Sequence, residues 1–209
     1  MSARVLQAND PEALRTALDI LRQGGLVAFP TDTVYGVGAM AFDTAAVERI
    51  YAAKGRDATK ALPILLADQD GLSEVADEIT PDARRLAETF WPGPLTIVVR
   101  KRDVVPEAVS WGATIGVRVP AHPVTLELLN ASGPLAATSA NLSGAPDSMS
   151  ADEVVAALGD RIDLILDGGR APGGRPSTVV DCTVSPPSLA REGPVSMDLI
   201  LAVLGRAGR

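Results

Sequence analysis

Apolar residues recur along the chain with two different periods, and the switches between them set the expected order of elements. Leu14, Ala17, Leu18 and Leu21 fall on one helical face, with Asp10 and Pro11 expected to open that helix and Gly24 and Gly25 to close it. The run 26–29 is short and wholly apolar, which predicts a buried strand stopped by Pro30. Val47, Ile50 and Tyr51 predict a helix from about Thr44 to Lys54, ended by Gly55. "ALPILLA" predicts a further buried strand. Leu72, Val75, Ala76 and Ile79 repeat at helical spacing, and Thr80 with Pro81 then caps a helix reaching Phe90.

The second half continues the alternation. "LTIVVR" follows the tight turn "WPGP" as a strand, and "ATIGVRVP" is another, closed by Pro120. Pro123 starts a short helix through Leu129, and "GPLAATSAN" is a strand that runs directly into a polar turn. Ser150 and Glu153 have the spacing of a capping box for a helix through Leu158. "IDLILDGG", "STVVDCTV" and "SLARE" complete the strands, and Ser196 caps a last helix carrying Leu199, Ile200, Val203 and Leu204. Helices and strands therefore interleave throughout with short connections, which predicts one mixed α/β domain over 1–209.

Composition narrows the function more than the fold. Hydrophobic residues make up 46% and charged residues 22%, the balance of a chain that folds, while aromatics at 3% leave the core to Leu, Val, Ile and Ala. A net charge of −7 argues against a protein whose main work is coating nucleic acid, since that work needs many phosphate-neutralising cations. Cys182 is the only cysteine, so an intrachain disulfide and a thiolate metal cluster are both excluded. Its apolar setting predicts a buried, inert thiol. No stretch reaches the about 18 apolar residues of a membrane span, and the N-terminus has no apolar core of a signal sequence, so the cytoplasm is the expected location.

Several familiar chemistries fail on detail. "GGRAPGGRPS" at 168–177 has two glycines at P-loop spacing, yet Arg175 and Pro176 stand where Lys and Ser or Thr are required, and a strand follows instead of a helix. The segment is expected to be a mobile surface loop. His122 is the sole histidine, which rules out paired-histidine metal motifs and favours a turn or capping role.

Three features remain. Lys54, Arg56 and Lys60 lie where a helix ends before a buried strand; the helix dipole accounts for Lys54, whereas a polyanion such as a triphosphate would use all three. Arg118 interrupts an otherwise buried strand, so it must be paired with a chain acid or face a cavity, where its planar fork suits a carboxylate. "FPTDTVYGVGA" and "TSANLSG" each follow an apolar run with a cluster of hydroxyl, amide and acidic side chains, which hydrogen-bond their own turn or line a pocket.

Taken together and in this order, "FPTDTVYGVGA", "AKGR", "WPGPLTIV", "VRVPAHP", "TSANLSG" and "STVVD" resemble the YrdC/TsaC family of threonylcarbamoyl-AMP synthases over roughly 24–193. The resemblance implies a twisted, mixed but mostly antiparallel sheet with flanking helices around a concave cavity. It implies an enzyme, a nucleotidyltransferase that condenses L-threonine, bicarbonate and ATP to L-threonylcarbamoyladenylate and pyrophosphate for tRNA threonylcarbamoyladenosine modification. Mg²⁺ is expected to accompany ATP, with no metal site of the protein's own, and tRNA and other proteins of the pathway are the implied partners. Position by position, Thr33, Arg118 and Ser177 match residues that hold threonine. Lys54, Arg56, Lys60, Thr114, Ser139, Asn141 and Arg191 match those around the nucleotide, Lys54 and Arg56 carrying the catalytic role. Ala61, Leu65 and Ala137 depart from the family's pattern, and the end of the sequence at Arg209 matches the short, single-domain form.

Overall fold

The computed structural model describes residues 2–206; Met1 and 207–209, the ends of the expected 1–209 unit, lie outside the described residues. Strands that are apolar on both faces need cover on both sides, and the order of elements supplies it. The chain runs β1 (Arg4–Gln7), α1 (Ala13–Arg22), β2 (Val27–Phe29), β3 (Gly36–Met40), α2 (Thr44–Lys54), β4 (Ile64–Leu65), α3 (Leu72–Val75), β5 (Ala76–Glu78), α4 (Pro81–Phe90) and β6 (Leu95–Lys101). It continues through β7 (Thr114–Arg118), α5 (Pro123–Ser132), β8 (Leu135–Ser139), α6 (Ala151–Leu158), β9 (Leu164–Asp167), β10 (Thr178–Asp181), β11 (Ser188–Arg191) and α7 (Met197–Val203).

All the strands join one open sheet in the order β1-β9-β2-β3-β8-β4-β7-β6-β10-β11, with β5 beside β6. Of its ten pairings, six are antiparallel and four parallel. The sheet is thus mixed and mostly antiparallel, as expected. The pleat sorts the core into two layers. Val27, Phe29, Leu135, Ala137, Leu164 and Leu166 point to one side, where they meet Ala17 and Leu21 of α1 and Leu128 and Leu129 of α5. Ala28, Ala136 and Ile165, one residue out of phase, point to the other, among Val47 and Ile50 of α2, Val154 of α6, Leu86 of α4 and Ile200 of α7.

Most helix ends follow their local chemistry. Thr80 Oγ1 accepts from Ala83 N (3.2 Å), Ser150 Oγ from Glu153 N (3.3 Å) and Ser196 Oγ from Leu199 N (3.3 Å). Glu153 returns its carboxylate to Met149 N, one residue outside the reciprocal box. Asp10 does not cap α1: its carboxylate closes a turn on Glu12 N (2.9 Å), and the helix begins at Ala13 without a side-chain cap.

Three other expectations are corrected. The helical spacing from Leu72 to Ile79 yields one turn, α3, because Ala76 and Glu78 pair instead with the end of β6. "ALPILLA" contributes only β4, since Pro63 has no N–H for the ladder. The motif 29–39 is turn only in its first half. Gly36–Met40 is a central strand, which its glycines and alanine concealed; a Cβ on Gly36 or Gly38 would meet the Phe29 ring at 3.0 and 3.2 Å. Cys182 is buried, and desolvation pushes its thiol up to about 12, so it is inert as expected.

Candidate active site

The cavity is built on one face of the half-sheet from β8 to β11. It measures about 350 Å³ and has alternate residues of three strands on its floor: Thr96 and Val98 of β6, Gly116 and Arg118 of β7, and Val179 of β10. That volume is within the range of small-ligand pockets. Its walls come from the turn 31–36, from Arg56 and Ala61 beyond α2, from Ala137 to Ser139 at the end of β8, from Asp147, and from Ser177 and Arg191.

At one end the turn after β2 is organised from within. Thr31 Oγ1 donates to Val34 O (2.6 Å) and accepts from Thr33 N and Val34 N, so Thr31 does close its own turn. Asp32 does not. Its Oδ1 accepts from Arg118 Nη2 (2.6 Å) and Ala121 N (2.9 Å), and Arg118 further donates to Thr33 Oγ1 (3.0 Å) and Gly93 O (2.9 Å). Both readings of Arg118 therefore hold: it is ion-paired inside the protein and it borders the cavity. Burial pulls its proton affinity down and Asp32 opposes the shift. Ser177 Oγ shares a hydrogen bond with Thr96 Oγ1 (2.8 Å) and accepts from Arg191 Nη2 (3.1 Å), which ties β6, the start of β10 and the end of β11 together at the cavity.

The other end is set by Lys54. The last residue of α2 turns its side chain inward, where it is 3% exposed, and Nζ donates to the carbonyls of Ser139 and Asn141 and, at 3.4 Å, to Asn141 Oδ1. Ser139 Oγ donates in turn to Asn141 Oδ1. All three protons of the ammonium are thus used by the chain, and Lys54 stands behind the wall rather than in it. Desolvation, with Arg56 adding to it, lowers its pKa to about 8. Arg56 lines the cavity, bracing Nε on Lys60 O and Nη2 on Ala61 O.

Of the residues expected at this site, Thr33, Arg56, Arg118, Ser139, Ser177 and Arg191 line one cavity, and Lys54 and Asn141 hold its wall from behind. Lys60 and Thr114 are not brought to the lining: Lys60 is exposed on the loop after α2, and Thr114 is the first residue of β7. Ala61, Leu65 and Ala137 all line it. Asp147 is a wall residue that the sequence did not announce, since an acid after "GAP" reads as part of a turn.

His122 stands at the N-cap position of α5 without capping it. The loop 168–177, expected to be mobile, is instead tied to the turn after β2. Tyr35 Oη donates to Gly169 O (2.7 Å), and Gly174 N donates to Thr33 O (3.0 Å). Gly173 lies so close that a Cβ there would meet Asp32 O at 2.5 Å and Thr33 Cα at 2.7 Å. Because both obstacles are backbone, Gly173→Ala is expected to destabilise the fold by about 1–3 kcal/mol; urea unfolding measures it, and an unchanged midpoint would show that the loop lifts away freely.

An open mixed sheet with an arginine-rich pocket on one face defines the class: a family model described as "Telomere recombination" (Sua5_yciO_yrdC) matches residues 19–193, and the chain belongs to this family. Its relatives include the threonylcarbamoyl-AMP synthase of Pyrococcus abyssi, 46% identical over 92% of this chain and 57% of its own length. The synthase of Vibrio parahaemolyticus is 36% identical over 84% of this chain and 96% of its own length. Among solved structures, P. abyssi Sua5 complexed with L-threonine superposes with a TM-score of 0.93 at 43% identity, covering 99% of this chain and 62% of that one. The chain thus spans little more than half the length of the P. abyssi relative.

Proposed function

We propose that the protein is an L-threonylcarbamoyladenylate synthase. The observation that carries this reading is the single cavity that unites Thr33, Arg118 and Ser177 with Arg56, Ser139 and Arg191. Relatives of near-equal and of greater length bear the same activity in their names, and one is known with L-threonine bound.

In this reading threonine lies at the Arg118 end, its carboxylate on the N–H groups that Asp32, Thr33 and Gly93 leave unused. Threonine's amine adds to the carbon derived from bicarbonate, water leaves, and the carbamate oxygen attacks the α-phosphorus of ATP while pyrophosphate departs. A carbamate is already an anion, so the attack needs no strong base from the protein. The barrier is the approach of two anions. At ~4 Å and an effective dielectric near 20, one opposite charge is worth about 4 kcal/mol. Arg56 and Arg191 supply such charges directly, Lys54 supplies one from behind the wall, and Mg²⁺ arriving with ATP supplies another. Catalysis on this account is positioning plus electrostatics, which fits a site with no Ser-His-Asp or Cys-His set.

Among the described residues no helix is long and apolar enough to cross a membrane, and no group of three or more His, Cys, Asp or Glu side chains could hold a metal ion. A cytoplasmic setting, and delivery of the adenylate to tRNA through other proteins of the pathway, belong to the same proposal. The test is an amino-acid panel with ATP and bicarbonate. Pyrophosphate is expected with threonine and at background with the others; release independent of the amino acid would overturn the reading.

A further inference from the structure

Asp147 is the one carboxylate among the described residues that line the cavity, in a wall whose other charges are Arg56, Arg118 and Arg191. It is not a loose surface acid. The next residue, Ser148, gives its carbonyl to Tyr35 N (2.9 Å) and its hydroxyl to Ala140 O (2.8 Å), while Asn141 Nδ2 holds Ala145 O (2.6 Å) just before it. The backbone on both sides is therefore tied to the site's own strands.

The carboxylate itself makes no hydrogen bond and no ion pair within 4.0 Å among the described residues, although its field reaches both Lys54 and Arg191. A fixed, unspent negative charge facing the phosphate end is a liability for a site that binds a polyanion. It opposes a bare triphosphate directly. The same charge favours a triphosphate whose metal has neutralised part of it, because Mg²⁺ is held by one or two carboxylates together with phosphate oxygens. Asp32, the other acid nearby, is not part of the lining: its Oδ1 is held by Arg118 and Ala121 N, and its Oδ2, without a partner, is buried away from the cavity surface.

We infer that Asp147 makes the site select the magnesium complex of ATP over free ATP. The inference rests on the proposed nucleotide site and deepens it, by giving the metal requirement a residue. It also divides the work of the three arginines, with Arg118 committed to Asp32 and the amino-acid end while Arg56 and Arg191 share the phosphate end with Asp147.

The test is equilibrium binding by calorimetry on the full chain, which needs no turnover. Affinity for ATP is measured with Mg²⁺ and with a chelator, for the wild type and for Asp147→Asn. The wild type is expected to prefer the magnesium complex by at least about tenfold. In Asp147→Asn that preference should fall by about tenfold, through tighter binding of free ATP, since one unit charge removed is worth at least one decade at such a site. Asp147→Glu, which keeps the charge, should retain the wild-type preference, and circular dichroism of each variant confirms the fold. An unchanged preference in Asp147→Asn, or weaker binding of free ATP, would overturn the assignment while leaving the synthase reading intact. A wild type that binds neither form of ATP would overturn both.

Discussion

Lys54→Ala is expected to lower adenylate formation by about 10²-fold or more, the scale seen when a preorganised charge stabiliser is lost. The structure gives the reason a form that helix-end electrostatics does not. The ammonium pins the carbonyls of Ser139 and Asn141, 85 and 87 residues away in sequence. Its loss leaves those buried acceptors unpaired and frees the turn that presents Ser139 to the cavity. Removal also takes one positive charge from behind the end of the cavity proposed to hold the phosphates.

The lowered pKa of Lys54 adds a pH signature. Activity that needs the ammonium should fall as pH rises through about 8. Stability should not fall with it. Because the folded pKa lies below the ordinary lysine value of 10.5, the folded state binds fewer protons than the unfolded state between about 8 and 10.5, so this group's contribution to stability rises with pH in that window. A rate that drops while the melting temperature holds is the expected pair of results. A folded Lys54→Ala protein with a normal rate would reduce the lysine to a helix-end cation.

The second large effect is expected at Arg118. Arg118→Ala leaves the mostly buried Asp32 carboxylate without its counter-charge, which costs up to about 3–5 kcal/mol when one partner of such a pair is removed. It also removes the fork at the end of the cavity proposed to hold the amino acid. Chemical denaturation should show the lost stability, and steady-state kinetics a raised KM for threonine with ATP binding little changed. The double variant Arg118→Met, Asp32→Asn separates the two contributions. It should recover much of the stability, since no unpaired charge remains, and none of the threonine affinity. An effect confined to ATP would reverse the assignment of the two ends.

Legibility in the sequence followed the range of the interactions involved. Helices with local stop or start chemistry, such as α2 with Gly55 after it, or α4 with Thr80 and Pro81 before it, are readable because the signal lies within a few residues of the end. β3 was hidden: Gly-Val-Gly-Ala-Met has the composition of a loop, and it is a strand because β2 and β8 flank it and the Phe29 ring fills the space its glycines leave. The run at 72–79 failed for the converse reason, a local helical period overruled by the edge of β6.

The site shows the same division. The residue types gathered in the cavity were readable from motifs in order, but the direction of each side chain was not. Nothing in "AAKGR" tells that Lys54 turns inward to two distant carbonyls while Lys60 turns out, because the partners lie in "TSAN". Asp32 could equally have closed its own turn, as Thr31 does; only the approach of Arg118 across 86 residues decides it. Asp147 carried no signal at all, since its place in the wall is set by the anchoring of Ser148 to Tyr35 and Ala140.

In the proposed function one cavity joins an amino acid, a bicarbonate-derived carbon and the α-phosphate of ATP in a single molecule. Mass spectrometry of the products formed from ATP, threonine and isotope-labelled bicarbonate addresses it most directly. The expected product is an adenylate containing threonine and the labelled carbon, formed by the wild type and strongly reduced in Lys54→Ala. Hydrolysis of ATP with no labelled adenylate, from a folded wild-type protein, would contradict the account.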